Sequence, residues 1–160
     1  NLYRLAPNLS LTQLLSNITV SNGIAFSEDE NIMYFADTPT GRIQKFEYTK
    51  NFNKFYELEA NMIFKNVGEP DGATVDKDNN YWSARVRGKC IICVDTKDET
   101  IIEKISLPTN TPTCVTFGGA DLNSLYITSL RADPTSDNEG GNLHKIETST
   151  QGRAQLLADI

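Results

Sequence analysis

Histidine, cysteine, positive charge and long apolar runs are all scarce in this chain, and each shortage closes off a class of function. There is one histidine, His144, in 160 residues. A covalent triad would have to be built around it without further support, since it falls in a strand-like run in the outer half of the third repeat described below. Three cysteines are an odd number, which fits a reducing compartment better than a disulfide framework. Cys90-Ile91-Ile92-Cys93 has the spacing of a redox or zinc pair. It lies in an apolar run, however, and in a strand residues three apart face opposite sides of the sheet. The two thiols therefore read as small core or surface residues. No basic run exists, and with a net charge of -6 a nucleic-acid partner is not expected, because phosphate binding needs clustered Lys and Arg. Arg85-Val86-Arg87-Gly88-Lys89, the densest cationic stretch, reads as a turn between strands. The apolar runs fall far short of the roughly 20 residues that a membrane span requires. Asn1-Leu2-Tyr3-Arg4 carries neither a signal-peptide pattern nor a starting Met, so a processed product or a piece of a longer chain is expected. The compartment expected is cytoplasmic, with secretion left open. Only in a secreted protein would the sequons Asn8-Leu9-Ser10 and Asn17-Ile18-Thr19 matter.

What the chain does have is enough apolar residues for a folded domain (39%, against 22% charged), arranged almost wholly in short β-type runs between turn signals. Ile32-Met33-Tyr34-Phe35-Ala36 is strand-like and Asp37-Thr38-Pro39-Thr40-Gly41 is a turn. Arg42 to Tyr48 then alternates polar and apolar at period two, as a half-buried strand does. The same order returns at Tyr81 to Ala84 and Cys90 to Asp95, and again at Leu125 to Thr128 and Asn142 to Ile146, the last pair separated by a longer polar loop from Arg131 to Gly141. Each unit finishes with one more strand, around Phe64, at Ile101 to Leu107 and at Ala154 to Ala158. Lys54 to Phe64 is the least decided stretch; a short strand after a loop is expected there in preference to a helix.

One segment recurs three times. Asn22-Gly23-Ile24-Ala25-Phe26-Ser27, Asp71-Gly72-Ala73-Thr74-Val75-Asp76 and Thr113-Cys114-Val115-Thr116-Phe117 lead into corresponding strands, with Asn22 49 positions before Asp71 and Asp71 42 before Thr113. A repeat of this length is the signature of a β-propeller blade or a similar stacked array. The expected fold is therefore all-β: a β-propeller of which this chain supplies about three and a half four-stranded blades. The half blade covers 1–20, and the blades cover approximately 21–66, 67–110 and 111–160. Such a chain cannot close a ring by itself. The remaining half of the propeller is then an expected partner, from the same longer chain or from a second one. Equivalent positions in an array point toward one axis, so Asn22, Asp71 and Thr113 should converge. Two of these are good oxygen ligands for a hard cation. Tyr34, Trp82 and Tyr126 recur in register and read as blade-packing aromatics. Asp37 and Asp76 read as turn and strand-end carboxylates.

These residues resemble a known family. Ser21-Asn22-Gly23-Ile24-Ala25-Phe26-Ser27 with Tyr34 to Thr38, Pro70-Asp71-Gly72 with Val75-Asp76 and Tyr81 to Ala84, and Pro112 to Gly119 with Leu125 to Ser129 are similar, in order and spacing, to the senescence marker protein 30, gluconolactonase and luciferin-regenerating-enzyme family. The match is to the C-terminal part of its six-bladed propeller. The resemblance implies a single divalent cation in the central channel, with Asn22 and Asp71 as two of its ligands. Calcium, magnesium or manganese suits such ligation, and zinc is possible. The family's other ligands, a Glu near its start and a second Asn, have no counterpart here. The implied activity is hydrolysis of lactones of sugar acids by metal-activated water, with Asp71 as ligand and general base. Thr113, Ser129 and Arg131 are candidate substrate contacts at the channel mouth. The alternatives are an arylesterase or organophosphatase, or a non-catalytic calcium-binding or partner-binding propeller.

Overall fold

A computed structural model describes residues 1–49, 52, 54–132 and 135–154. Its first strands, β1 (Leu2–Leu5) and β2 (Leu11–Leu15), form a two-stranded sheet. Next come β3 (Ser21–Phe26), β4 (Ile32–Asp37), β5 (Arg42–Tyr48) and β6 (Phe55–Ile63), with a 3-10 turn at Thr38–Thr40. The third sheet contains β7 (Glu69–Val75), β8 (Tyr81–Val86), β9 (Cys90–Asp95) and β10 (Thr100–Ser106). The fourth contains β11 (Pro112–Gly118), β12 (Ser124–Ser129) and β13 (His144–Glu147). Every sheet is an antiparallel meander in chain order. The undecided stretch from Lys54 to Phe64 is strand, not helix, over Phe55–Ile63. The strand expected from Ala154 to Ala158 lies, beyond Ala154, outside the described residues.

The sheets stack face to face with one apolar layer between each pair. Leu2 of β1 shares a layer with Met33, Phe35, Phe46 and Tyr48 of the second sheet. Ala25, Tyr34, Ile43 and Met62 of the second meet Val75, Tyr81, Ile92 and Val94 of the third. Trp82, Ala84, Ile91 and Cys93 of the third meet Val115, Phe117, Leu125 and Ile127 of the fourth. A sheet in the middle of such a stack is covered on both faces, so its central strands lose the period-two pattern and read as unbroken apolar runs. That is why Cys90-Ile91-Ile92-Cys93-Val94 is buried throughout. The two cysteines fall in different layers, Cys90 on one face and Cys93 on the other. The outer strand β10 has no sheet beyond it and is mostly exposed.

The innermost strands of the last three sheets, β3, β7 and β11, lie side by side. Tyr34 stands opposite Ala25, Trp82 opposite Thr74, and Tyr126 opposite Thr116. Those partners are each three residues after Asn22, Asp71 and Thr113. The three aromatics thus occupy one equivalent position.

Candidate metal centre on the inner strands

Each inner strand carries a register shift at the recurring motif. It falls between Asn22 and Ala25 in β3, between Pro70 and Ala73 in β7, and between Pro112 and Cys114 in β11. A bulge of this kind bends the strand and can re-aim a side chain, and here it falls at Asn22, Asp71 and Thr113. Glycine is required beside two of them. Gly23 has φ +64°, and a Cβ on it would lie 2.5 Å from the Tyr81 hydroxyl oxygen. A Cβ on Gly72 would lie 2.5 Å from Cys114 Sγ and 2.7 Å from the Thr113 carbonyl oxygen. The Asn-Gly and Asp-Gly pairs therefore mark places where one sheet's inner strand touches the next, as well as turns in the chain.

Asn22 is half-buried, and its Nδ2 donates to Thr38 Oγ1 at 2.8 Å. The Thr38 hydroxyl in turn donates to the Pro70 carbonyl at 2.8 Å. This chain of bonds orients the amide and leaves Asn22 Oδ1 without a hydrogen-bond donor among the described residues. Asp71 follows Pro70 directly. Burial pushes its carboxyl above the ordinary carboxylate value, and the neighbouring Gly72 backbone N–H pulls the other way. No ion pair is formed by Asp71 among the described residues. Burial also raises the Cys114 thiol, with the charge of Asp71 contributing.

The other expected site residues divide. Thr113 Oγ1 lies 2.8 Å from Thr128 Oγ1, a hydroxyl pair across the two strands. The Ser129 hydroxyl is engaged with the loop that follows, donating to the Asn142 carbonyl and accepting from the Gly141 N–H. Arg131 is exposed on the same loop. Asp37 accepts from the backbone N–H groups of Thr19 and Val20. Asp76 is fully buried and accepts four hydrogen bonds, one from the Trp82 indole. Both carboxylates are structural, as their positions suggest. His144 lies on β13, the outermost of the described strands in its sheet.

Sequence reasoning missed three contributors. Thr38 sits in a turn, and nothing local marks it as the link between Asn22 and β7. Cys114 touches the Asp71 motif only because β11 packs on β7. Arg85, read as part of a turn between strands, belongs to β8 and is 0% exposed. A cavity of about 460 Å³ opens farther along β3 and β7, against Ile24, Phe26, Thr74, Tyr48 and Arg153; neither Asn22 nor Asp71 lines it.

The donor set suits a hard divalent cation in part. Asn22 offers a free amide oxygen and Asp71 an unpaired carboxylate, both of the oxygen type such ions prefer. Among the described residues no three His, Cys, Asp or Glu side chains come together, so a complete shell would draw on water or on groups outside this chain.

The family described as SMP-30/Gluconolactonase/LRE-like region matches residues 1–131. The chain belongs to that family. Among its relatives is the 6-deoxy-6-sulfogluconolactonase of Pseudomonas putida, 34% identical over 78% of this chain and 43% of that protein. Another is the pentonolactonase XacC of Haloferax volcanii, 28% identical over 99% of this chain and 58% of that protein. Among solved structures, the calcium-binding protein regucalcin from Agrobacterium tumefaciens superposes with a TM-score of 0.82 at 27% identity, covering 94% of this chain and 53% of that one. The fold is thus that of the family's β-propeller, and the chain spans about half the length of the curated relatives it matches. No helix of the described residues is long and apolar enough to cross a membrane.

Proposed function

We propose that the protein bearing this chain is a divalent-metal-dependent hydrolase that opens lactones of sugar acids, with Asn22 and Asp71 as two of the metal's oxygen ligands. The observation that carries this reading is the hydrogen-bonded path from Asn22 through Thr38 to Pro70, which ties Asn22 to the peptide that precedes Asp71 on the adjacent inner strand. Relatives named as sugar-acid lactonases support the reaction class. A bound cation would polarise the lactone carbonyl and lower the pKa of a coordinated water.

The chain's own residues supply the rest. Asn22 donates an amide hydrogen to Thr38 and so presents oxygen, the atom a cation takes. Asp71 binds as a carboxylate and takes up the proton of the attacking water. The hydroxyl pair of Thr113 and Thr128 and the thiol of Cys114 line the adjoining strand, where the lactone's hydroxyl groups would be received.

The relative described as a calcium-binding protein supports a second reading, a propeller that binds calcium without turnover. Hydrolysis of glucono-1,5-lactone by the purified protein, followed before chelation, after it and with Ca²⁺, Mn²⁺, Mg²⁺ or Zn²⁺ restored, separates the two. Activity lost and recovered with metal is the expected result. Metal binding with no hydrolysis selects the second reading, and neither response rejects both.

A further inference from the structure

Each of the three inner strands is pinned just before its motif, and in each case a buried charged side chain does the pinning. Ahead of β3, Asp37 accepts from the N–H groups of Thr19 at 3.0 Å and Val20 at 2.8 Å. Ahead of β11, Asp137 accepts from the Asn110 N–H at 2.7 Å and the Thr109 hydroxyl at 2.9 Å. Ahead of β7 the polarity is reversed, and Arg85 Nη2 donates to the Gly68 carbonyl at 2.7 Å. Arg85 and Asp37 hold the same place in their sheets, each three residues beyond the in-register aromatics Trp82 and Tyr34. In β12 that place is Ser129, and the carboxylate comes instead from the following loop.

The reversal follows from the backbone and from charge. Gly68 has φ +76°, a conformation glycine adopts without strain, and a Cβ there would collide with the backbone of Val86 and Gly88. So turned, the segment presents a carbonyl and needs a donor. The neutral motif residues Asn22 and Thr113 have strands held by carboxylates, whereas the strand bearing Asp71, with Glu69 beside it, is held by a cation. Arg85 is 0% exposed and lies opposite Pro70; burial pulls its guanidinium below its ordinary value, with Tyr81, Cys90 and Glu69 acting the other way, and Glu69 itself pairs with Arg87. Its Nε and Nη1, like Glu69 Oε2, are buried without a hydrogen-bond partner. A guanidinium carried fully out of water at such cost, for a single backbone hydrogen bond, is poor value as structure alone.

We propose that Arg85 is a positioning residue for Asp71: it fixes the Gly68–Pro70 segment that leads into the Asp71 bulge. That bulge is then held from three sides, by Arg85 through Gly68, by Thr38 through the Pro70 carbonyl, and by Cys114 against Gly72. The proposal rests on Asp71 being a metal ligand, and its test separates the two ideas.

The purified protein and its Arg85→Met and Arg85→Lys variants are titrated with Ca²⁺ by calorimetry, and amide exchange is followed along β7 and β11. Arg85→Met should weaken Ca²⁺ binding about tenfold or more, the usual loss when a residue orienting a ligand is removed. Exchange should accelerate at Glu69 to Ala73 while Val115 to Phe117 keep their protection. Arg85→Lys, which retains the charge and a donor for Gly68, should recover most of both. Unchanged exchange at Glu69 to Ala73 in Arg85→Met, or acceleration spread equally over β7 and β11, overturns the positioning role. A wild-type protein that binds no Ca²⁺ rejects the ligand reading of Asp71, and local exchange alone then decides whether Arg85 fixes the segment. If Arg85→Met does not fold, Arg85→Gln replaces it with the same outcomes.

Discussion

Asn22 and Pro70 share a single hydroxyl: Thr38 Oγ1 accepts from the Asn22 amide and donates to the Pro70 carbonyl, both at 2.8 Å. Two strands of different sheets are tied at the peptide that precedes Asp71. Thr38→Val removes both bonds while nearly preserving shape. It should lower Ca²⁺ or Mn²⁺ affinity by about tenfold, as loss of a ligand's orienting partner does. Stability should fall by only about 1 kcal/mol, the net worth of such bonds. Calorimetry and urea titration read the two effects separately, and an unchanged affinity would reject the link.

Asp71→Asn should lower kcat by about 100-fold or more if Asp71 is the general base. The same substitution should leave the metal-free fold no less stable at pH 7. Burial holds the Asp71 carboxyl above its ordinary 3.8, so the neutral form is the one that favours the fold. That contribution is complete below the unfolded-state value and is lost as pH rises through the folded one. Any stability advantage of the Asn variant should therefore be present at neutral pH and shrink toward about pH 3. Urea midpoints across that range check the sign.

Gly72→Ala places a methyl group 2.5 Å from Cys114 Sγ and 2.7 Å from the Thr113 carbonyl oxygen. Overpacking of this kind costs about 1–3 kcal/mol. Adding Cys114→Ala relieves only the sulfur contact, because the Thr113 backbone and the residue 114 Cβ remain in place. The double variant should recover part of the loss at most; full recovery would show that β11 moves freely against β7.

Asp76 accepts from the N–H groups of Asp78 and Asn80, from the Asn80 side chain and from the Trp82 indole, all within 2.9–3.0 Å. Asp76→Ala strands these donors in a site that is 0% exposed, which should cost about 2–4 kcal/mol. Trp82 is the only tryptophan, so its fluorescence reports both the lost contact at the start of the experiment and the shifted unfolding midpoint.

The strands, their turns and the three-fold recurrence were legible because period two, Asn-Gly and Asp-Gly are local signals, and the resulting segments need only their neighbours in the chain. The placing of Cys90 and Cys93 in different layers followed from pleat geometry alone. The sequence by itself thus determined the sheets, the register of Tyr34, Trp82 and Tyr126, and the three positions at which the inner strands shift register. Tertiary structure decided what surrounds those positions. Thr38 reaches a carbonyl 32 residues away, and Arg153 reaches the Phe26 carbonyl across 127. Arg85 reads as part of a turn between strands in a cationic stretch, yet it lies on β8, fully buried, and donates to the Gly68 carbonyl. Such contacts depend on which sheets become adjacent. No local pattern records that adjacency, because a hydroxyl or a guanidinium in the chain has the same propensity whether its partner is water or the next sheet.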